Sequence, residues 1–138
     1  MRNVLVVEDD PAGAKLIAFI LKGIDDVHAR FATRGTEALS LLERESFDAL
    51  VLDLELPDFS GLEVLRQVRK SKNPEVNQIP CVVVTARVLP SDRKQALEAG
   101  ANYFVPKPVD TRHLRILLKR LTTAKSSRQA VGKITAHD

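Results

Sequence analysis

The chain has 138 residues, 44% hydrophobic and 28% charged, the balance of one globular domain rather than of a disordered segment. Its single Cys excludes an intramolecular disulfide and any multi-cysteine zinc or iron–sulfur cage, and no apolar run approaches the roughly 18 residues a membrane helix needs. Net charge is +3, unevenly spread: residues 1–106 sum to −3 and residues 107–138 to +6.

The first apolar run, Val4–Val7, sits in MRNVLVVEDDP, which is too short and turns acidic too soon for a secretion signal. The expectation is a soluble, cytoplasmic protein. A helix follows, with Asp10 as N-cap, Pro11 at its first position, an apolar stripe of Ala14, Leu16, Ile17, Ile20 and Leu21, and an exit at Gly23. Val27–Ala32 alternates weakly as a second strand. Ala38, Leu39, Leu41 and Leu42 mark a second helix. Ala49–Leu54 is a third, nearly continuous apolar strand, as expected of a parallel strand buried on both faces. The third helix opens with Ser60 and Glu63 spaced as a capping box and runs through Leu62, Val64, Leu65 and Val68.

Residues 71–79 form a polar connector with an Asn73-Pro74 turn. Cys81–Thr85 is the fourth strand. A fourth helix starts near Ser91 after Pro90, carries Ala96, Leu97 and Ala99, and stops at Gly100. Tyr103–Val105 is the fifth strand. A fifth helix, from about Asp110, carries Leu114, Ile116, Leu117, Leu118 and Leu121. Five β-α repeats predict an α/β fold, a doubly wound parallel five-stranded sheet with helices on both faces. The expected domain spans residues 1–121, and residues 122–138 read as a basic, flexible tail. Residues 107–138 contain no Phe, Tyr or Trp on which bases could stack, so nucleic acid is not an expected partner.

Parallel strands end on one edge, where ligands of open α/β sheets bind. The first strand exits into Glu8, Asp9 and Asp10, the third into Asp53, the fourth at Thr85-Ala86 and the fifth into Lys107-Pro108. Each has an ordinary reading taken singly: acids favoured at a helix N-terminus, a turn aspartate, a solvated lysine. Together they form a coherent site. Clustered carboxylates call for a cation, and oxygen-only ligands favour Mg²⁺. A carboxylate can accept a phosphoryl group, with an ammonium and a hydroxyl on the equatorial oxygens.

VLVVEDDP, LVLDLELPDFSGLEVL, VVVTA and GANYFVPKP resemble, in order and spacing, the receiver domain of two-component response regulators over roughly residues 3–121. The resemblance implies the flavodoxin-like strand order 2-1-3-4-5. It also implies that Asp53 takes a phosphoryl group from a sensor histidine kinase or a histidine phosphotransfer protein. Asp9, Glu8, Asp53 and the backbone carbonyl of Glu55 would hold Mg²⁺. Thr85 and Lys107 would contact the phosphoryl oxygens, helped by a backbone N–H near Ala86. Gly61 matches the family glycine after the acceptor loop, and Lys107-Pro108 is similar to a bond that is often cis in receivers. Thr85 and Phe104 would act as the switch, reporting to a downstream protein through the surface of the fourth helix, fifth strand and fifth helix. Such a module is a signalling domain rather than an enzyme. Whether it is monomeric or a homodimer, and whether it stands alone or belongs to a longer protein, is left open.

Five positions depart from the common pattern. Phe104 stands where Tyr is frequent, so no hydroxyl steers its rotamer. Pro106 precedes Lys107, which suits an edge strand. Val109 replaces a frequent Phe. Glu55 and Arg87, two residues past Asp53 and Thr85, match places that in receivers tune phosphoryl lifetime, and their opposite charges suggest an ion pair across the site mouth. Arg112, Arg115 and Lys119 share one face of the fifth helix, on the expected output surface. Cys81 reads as a buried apolar group, and His28, His113 and His137 show no ligand spacing. A Mg²⁺-dependent phosphatase of haloacid dehalogenase type would use an Asp nucleophile too, but on the first strand with a second Asp two residues on. A flavodoxin-like electron carrier would need a phosphate loop where Glu8, Asp9 and Asp10 stand.

Overall fold

The computed structural model describes residues 1–131, with the side chains of its last helix as far as Thr123. Strands β1 (Arg2–Val7), β2 (Val27–Ala32), β3 (Ala49–Leu52), β4 (Cys81–Thr85) and β5 (Tyr103–Pro106) form one parallel sheet in the order β2-β1-β3-β4-β5. The helices are α1 (Pro11–Lys22), α2 (Gly35–Arg44), α3 (Gly61–Lys70), α4 (Pro74–Asn77), α5 (Pro90–Ala99) and α6 (Thr111–Val131). The expected strand order and the edge position of Pro106 in β5 are both observed.

Alternate strand residues feed two cores, one on each face of the sheet. Val4 and Val6 of β1, Val51 of β3, Val82 and Val84 of β4, and Val105 pack against Ile17, Ile20 and Leu21 of α1 and Leu114, Leu117, Leu118 and Leu121 of α6. Leu5, Val7, Leu50, Leu52, Cys81 and Val83 face α2, α3 and α5. Each fully buried aliphatic side chain contributes about 1.5–3 kcal/mol of transfer free energy. Because both faces are covered, the buried stretches Val4–Val7, Ala49–Leu52 and Cys81–Val84 of the central strands are wholly apolar.

The helix starts follow their caps. The Asp10 carboxylate accepts from the Gly13 N–H, and Pro11 occupies the first position of α1. Asp110 caps α6 by accepting from the N–H groups of Arg112 and His113. Ser60 caps α3 by accepting from the Leu62 N–H, but the expected box is half made: Glu63 accepts from Gln67 Nε2 instead of reaching back. Two further expectations change. Within residues 71–79, Asn73 accepts from the Glu75 N–H and Pro74 starts the single turn of α4, so the turn signal was a cap signal on a helix too short to show periodicity. The last helix runs past Leu121 to Val131, with Thr122 buried, so the first part of the expected tail is helical. The remainder of that tail, residues 132–138, lies outside the described residues.

At the sheet edge opposite the acids, Arg69 of α3 reaches across β4 and β5. Its guanidinium donates to the carbonyls of Ile79 (2.6 Å), Gly100 (2.7 and 3.1 Å) and Asn77 (3.1 Å). Gly100 ends α5 with φ of 114°, a conformation that favours glycine, and a Cβ there would stand 2.7 Å from Arg69 Nε. One planar fork thus terminates three segments, a task the single ammonium of lysine cannot copy. Arg69→Lys is expected to lower unfolding free energy by about 2 kcal/mol, and Arg69→Leu by more, because carbonyls lose charge-assisted partners. Urea denaturation measures both.

Candidate functional site

Glu8, Asp53 and Lys107 each stand one residue past the end of a strand, at the opposite edge, and are held there by a last sheet hydrogen bond. The Glu8 N–H donates to Ala32 O at 2.9 Å, the Asp53 N–H to Val7 O at 3.0 Å, and the Lys107 N–H to Thr85 O at 2.9 Å. The backbone positions of three groups, spread over a hundred residues of chain, are therefore set by the ladder itself. β3 ends at Leu52, so Asp53 is the first residue beyond it.

The side chains converge. Lys107 Nζ donates to Glu8 Oε1 at 2.7 Å and to Asp53 Oδ2 at 2.9 Å. Asp53 Oδ1 accepts from the Glu55 N–H at 3.0 Å, and Glu8 Oε2 from the Asp10 N–H at 3.1 Å. Carboxylate oxygens of Glu8, Asp9 and Asp53 lie within 4.8 Å of one another. Glu8 and Asp53 are buried, at 3% and 4% exposure, whereas Asp9 is open to solvent. Burial pushes the Glu8 carboxyl above its ordinary value despite the Lys107 hydrogen bond. Burial acts to lower Lys107, but its hydrogen bonds to Glu8 and Asp53 outweigh it and hold the ammonium charged.

Two glycines make room for this arrangement. A Cβ on Gly13 would approach Glu8 Oε1 to 3.0 Å. Gly61 lies directly against the Asp53 carbonyl, with Leu54 Cα 2.8 Å from where a Cβ would be, so no other residue fits without moving Asp53. The Gly61 N–H also donates to Leu54 O at 2.9 Å.

The other expected residues fall as follows. Thr85 is buried at the end of β4, and its hydroxyl accepts from the Arg87 N–H at 3.2 Å. Phe104 is half-buried and packs against the core on the α2–α3–α5 face. The Lys107-Pro108 bond is cis. The anticipated Glu55–Arg87 ion pair is absent among the described residues. Arg87 turns instead to Asp92, with Nε and Nη2 both 3.3 Å from Oδ1. Asp92, buried in the first turn of α5, also accepts from the Leu89 N–H at 3.1 Å and is the nearer acid. Arg115 does not extend the expected basic face. Its guanidinium lies against the end of α1, 3.3 Å from the place of a Gly23 Cβ. Cys81 is wholly buried and its thiol is pushed up to about 12, so it is inert at neutral pH. His28 and His113 are exposed, and His137 lies outside the described residues. Sequence reasoning missed Asp92 and Asp58, whose partners are fixed by loop geometry that no spacing encodes.

The family model described as the response regulator receiver domain matches residues 4–119. An uncharacterized protein of Leptolyngbya boryana is 36% identical over 122 residues, 88% of this chain and 91% of that protein. The probable transcriptional regulatory protein TcrX of Mycobacterium tuberculosis is 37% identical over 94% of this chain but 56% of its own length. The chain spans about half the length of that and similar regulators. A putative response regulator of Chloroflexus aurantiacus has a similar structure, with TM-score 0.80, 30% identity, and 88% of this chain and 98% of that one covered. The receiver domain of sensor histidine kinase PA1611 of Pseudomonas aeruginosa, solved with a magnesium ion in its active site cleft, has TM-score 0.78 and 29% identity, covering 88% and 97%. With this fold, this acidic edge and these matches, the chain belongs to the response regulator receiver domain family of two-component signalling.

Proposed function

We propose that Asp53 is the phosphoacceptor and that the chain switches a partner protein when phosphorylated. The observation that carries this reading is the placement of Asp53 Oδ2 2.9 Å from Lys107 Nζ, with Glu8 and Asp9 beside it. An Asp53 carboxylate oxygen attacks phosphorus, forming an acyl phosphate. The phosphorus–nitrogen bond of a phosphohistidine breaks, and its electron pair returns to the imidazole. The Glu55 N–H steadies Oδ1 while Oδ2 faces Lys107. Lys107 and the Thr85 hydroxyl then take the phosphoryl oxygens, and a backbone N–H near Ala86 assists.

The donor set fits Mg²⁺: three converging carboxylates, no His or Cys, and one carboxylate open to solvent. Glu8, Asp9, Asp53 and the Glu55 carbonyl would hold it. Bound there, the ion supplies positive charge that offsets the negative charge of the phosphoryl group.

The donor is a sensor histidine kinase or a histidine phosphotransfer protein. The readout runs through Thr85, Phe104 and the surface of α5, β5 and α6 to a downstream protein or a second copy of the chain. The receiver unit is taken as residues 1–121, Leu121 being the last side chain of the core, with residues 122–138 as a basic extension. No helix among the described residues is long and apolar enough to cross a membrane, in keeping with action in the cytoplasm. The phosphatase reading gains nothing: Glu55, in the place of its acid/base, is exposed and donates its backbone rather than its carboxyl to the site.

Incubation with Mg²⁺ and acetyl phosphate is expected to add one phosphoryl group by intact mass. EDTA or Asp53→Asn abolishes the addition, and Lys107→Ala slows it by about a hundredfold or more. Addition to Asp53→Asn would refute the assignment. Since Arg87 pairs with Asp92, Glu55 and Arg87 influence phosphoryl lifetime separately. The changes in dephosphorylation rate from Glu55→Ala and Arg87→Ala are therefore expected to multiply in the double variant. A double variant no different from either single would show that the two act as a pair.

A further inference from the structure

The loop from Asp53 to Ser60 joins β3 to α3 and carries the Glu55 N–H and carbonyl. Its far end is tied to another part of the fold. Asp58 Oδ1 accepts from the Gly35 N–H at 2.8 Å and the Phe59 N–H at 3.0 Å, and Oδ2 accepts from the Thr36 N–H at 2.9 Å. Gly35 and Thr36 open α2, whose own N-cap residue, Arg34, makes no side-chain cap. A residue 23 positions away therefore caps this helix, with charge-assisted bonds and a favourable dipole.

The next residue reinforces the joint. Phe59 lies over Gly35, where a Cβ would approach its ring carbons to 2.8 and 2.9 Å. Gly35 is thus the residue type that lets Phe59 and Asp58 seat together on α2. Desolvation acts to raise the Asp58 carboxyl, but the Thr36 and Gly35 N–H groups outweigh it and hold the group at about 2. The carboxylate is therefore ionised at neutral pH, the form that accepts all three N–H groups.

We propose that Asp58 is a positioning residue for the phosphoacceptor site: by clamping the acceptor loop to the start of α2, it fixes the backbone at Glu55 that orders Asp53 and completes the metal-binding set. The loop is pinned at its start by Glu55 N–H on Asp53 Oδ1, at its end by Gly61 N–H on Leu54 O, and between them by Asp58. Removing the middle pin frees residues 55–59 without replacing any side chain of the site itself. This inference rests on the proposed function, since it concerns the same site.

The test measures Mg²⁺ affinity by calorimetry, and the rate of phosphorylation by acetyl phosphate, for four proteins: wild type, Asp58→Ala, Asp58→Asn and Asn73→Ala. Asn73→Ala removes a cap of the same kind from α4, away from the acceptor loop. Asp58→Ala is expected to weaken Mg²⁺ binding by about tenfold and to slow phosphorylation, the scale seen when a supporting partner of a metal ligand is lost. Asp58→Asn recovers part of the loss, because its amide oxygen accepts one N–H. Asn73→Ala matches wild type in both measurements. Wild-type affinity and rate in Asp58→Ala would overturn the inference alone, as would an equal loss in Asn73→Ala, which would assign the effect to general stability. A wild type that neither binds Mg²⁺ nor accepts phosphate would overturn the proposed function and this inference with it.

Discussion

The ammonium of Lys107 is shared by two carboxylates, and much of the molecule serves to hold it there. Glu8 and Asp53 are nearly out of solvent, and two buried like charges repel and resist ionisation unless a cation joins them. Lys107 meets that need at 2.7 and 2.9 Å. Removing one partner from such a set typically costs about 3–5 kcal/mol, since the remaining charges stay buried. The site is thus electrostatically incomplete without its cation, and under the proposed function that same demand for positive charge would draw a divalent ion.

The sheet explains how three distant residues meet. Parallel strands in register end together, and the residue just past each end is still bonded to the ladder. Apolar residues fill both faces up to that point, so polarity begins abruptly at the edge. The loops beyond are then constrained individually. Gly61 lets α3 crowd the Asp53 carbonyl, Asp58 ties the β3–α3 loop to α2, and Asp92 gathers Arg87 toward α5. Arg69 closes the other edge, so the two ends of the sheet differ in purpose: one is braced, and the other is charged.

Most of the fold was legible in the sequence because its signals are local. Valine and leucine runs of four or five residues, caps at Asp10 and Ser60, and Gly100 after Ala99 each speak for their own segment. The site was legible because strand exits can be read off once strands are placed, which brought Glu8, Asp9, Asp53 and Lys107 to one edge. The misses were non-local or too short. The turn of α4 spans four residues, less than a hydrophobic period can show. Arg69, Asp58 and Arg115 each bond or pack far from their own helix or loop, and nothing in their neighbours' identities announces the partner. The Glu55–Arg87 pair failed for a related reason: opposite charge at matching positions does not reveal a closer acid such as Asp92.

The position of the phosphoryl group tests the whole construction most directly. The phosphorylated protein would be reduced with borohydride, which converts an acyl-phosphorylated aspartate to homoserine, and its peptides mapped by mass spectrometry. The expected result is conversion at Asp53 alone, with Glu8 and Asp9 unchanged. Conversion at another carboxylate, or a phosphoryl group that resists reduction because it sits on a hydroxyl or an imidazole, would contradict the assignment of Asp53 as the chemical centre of the acidic edge.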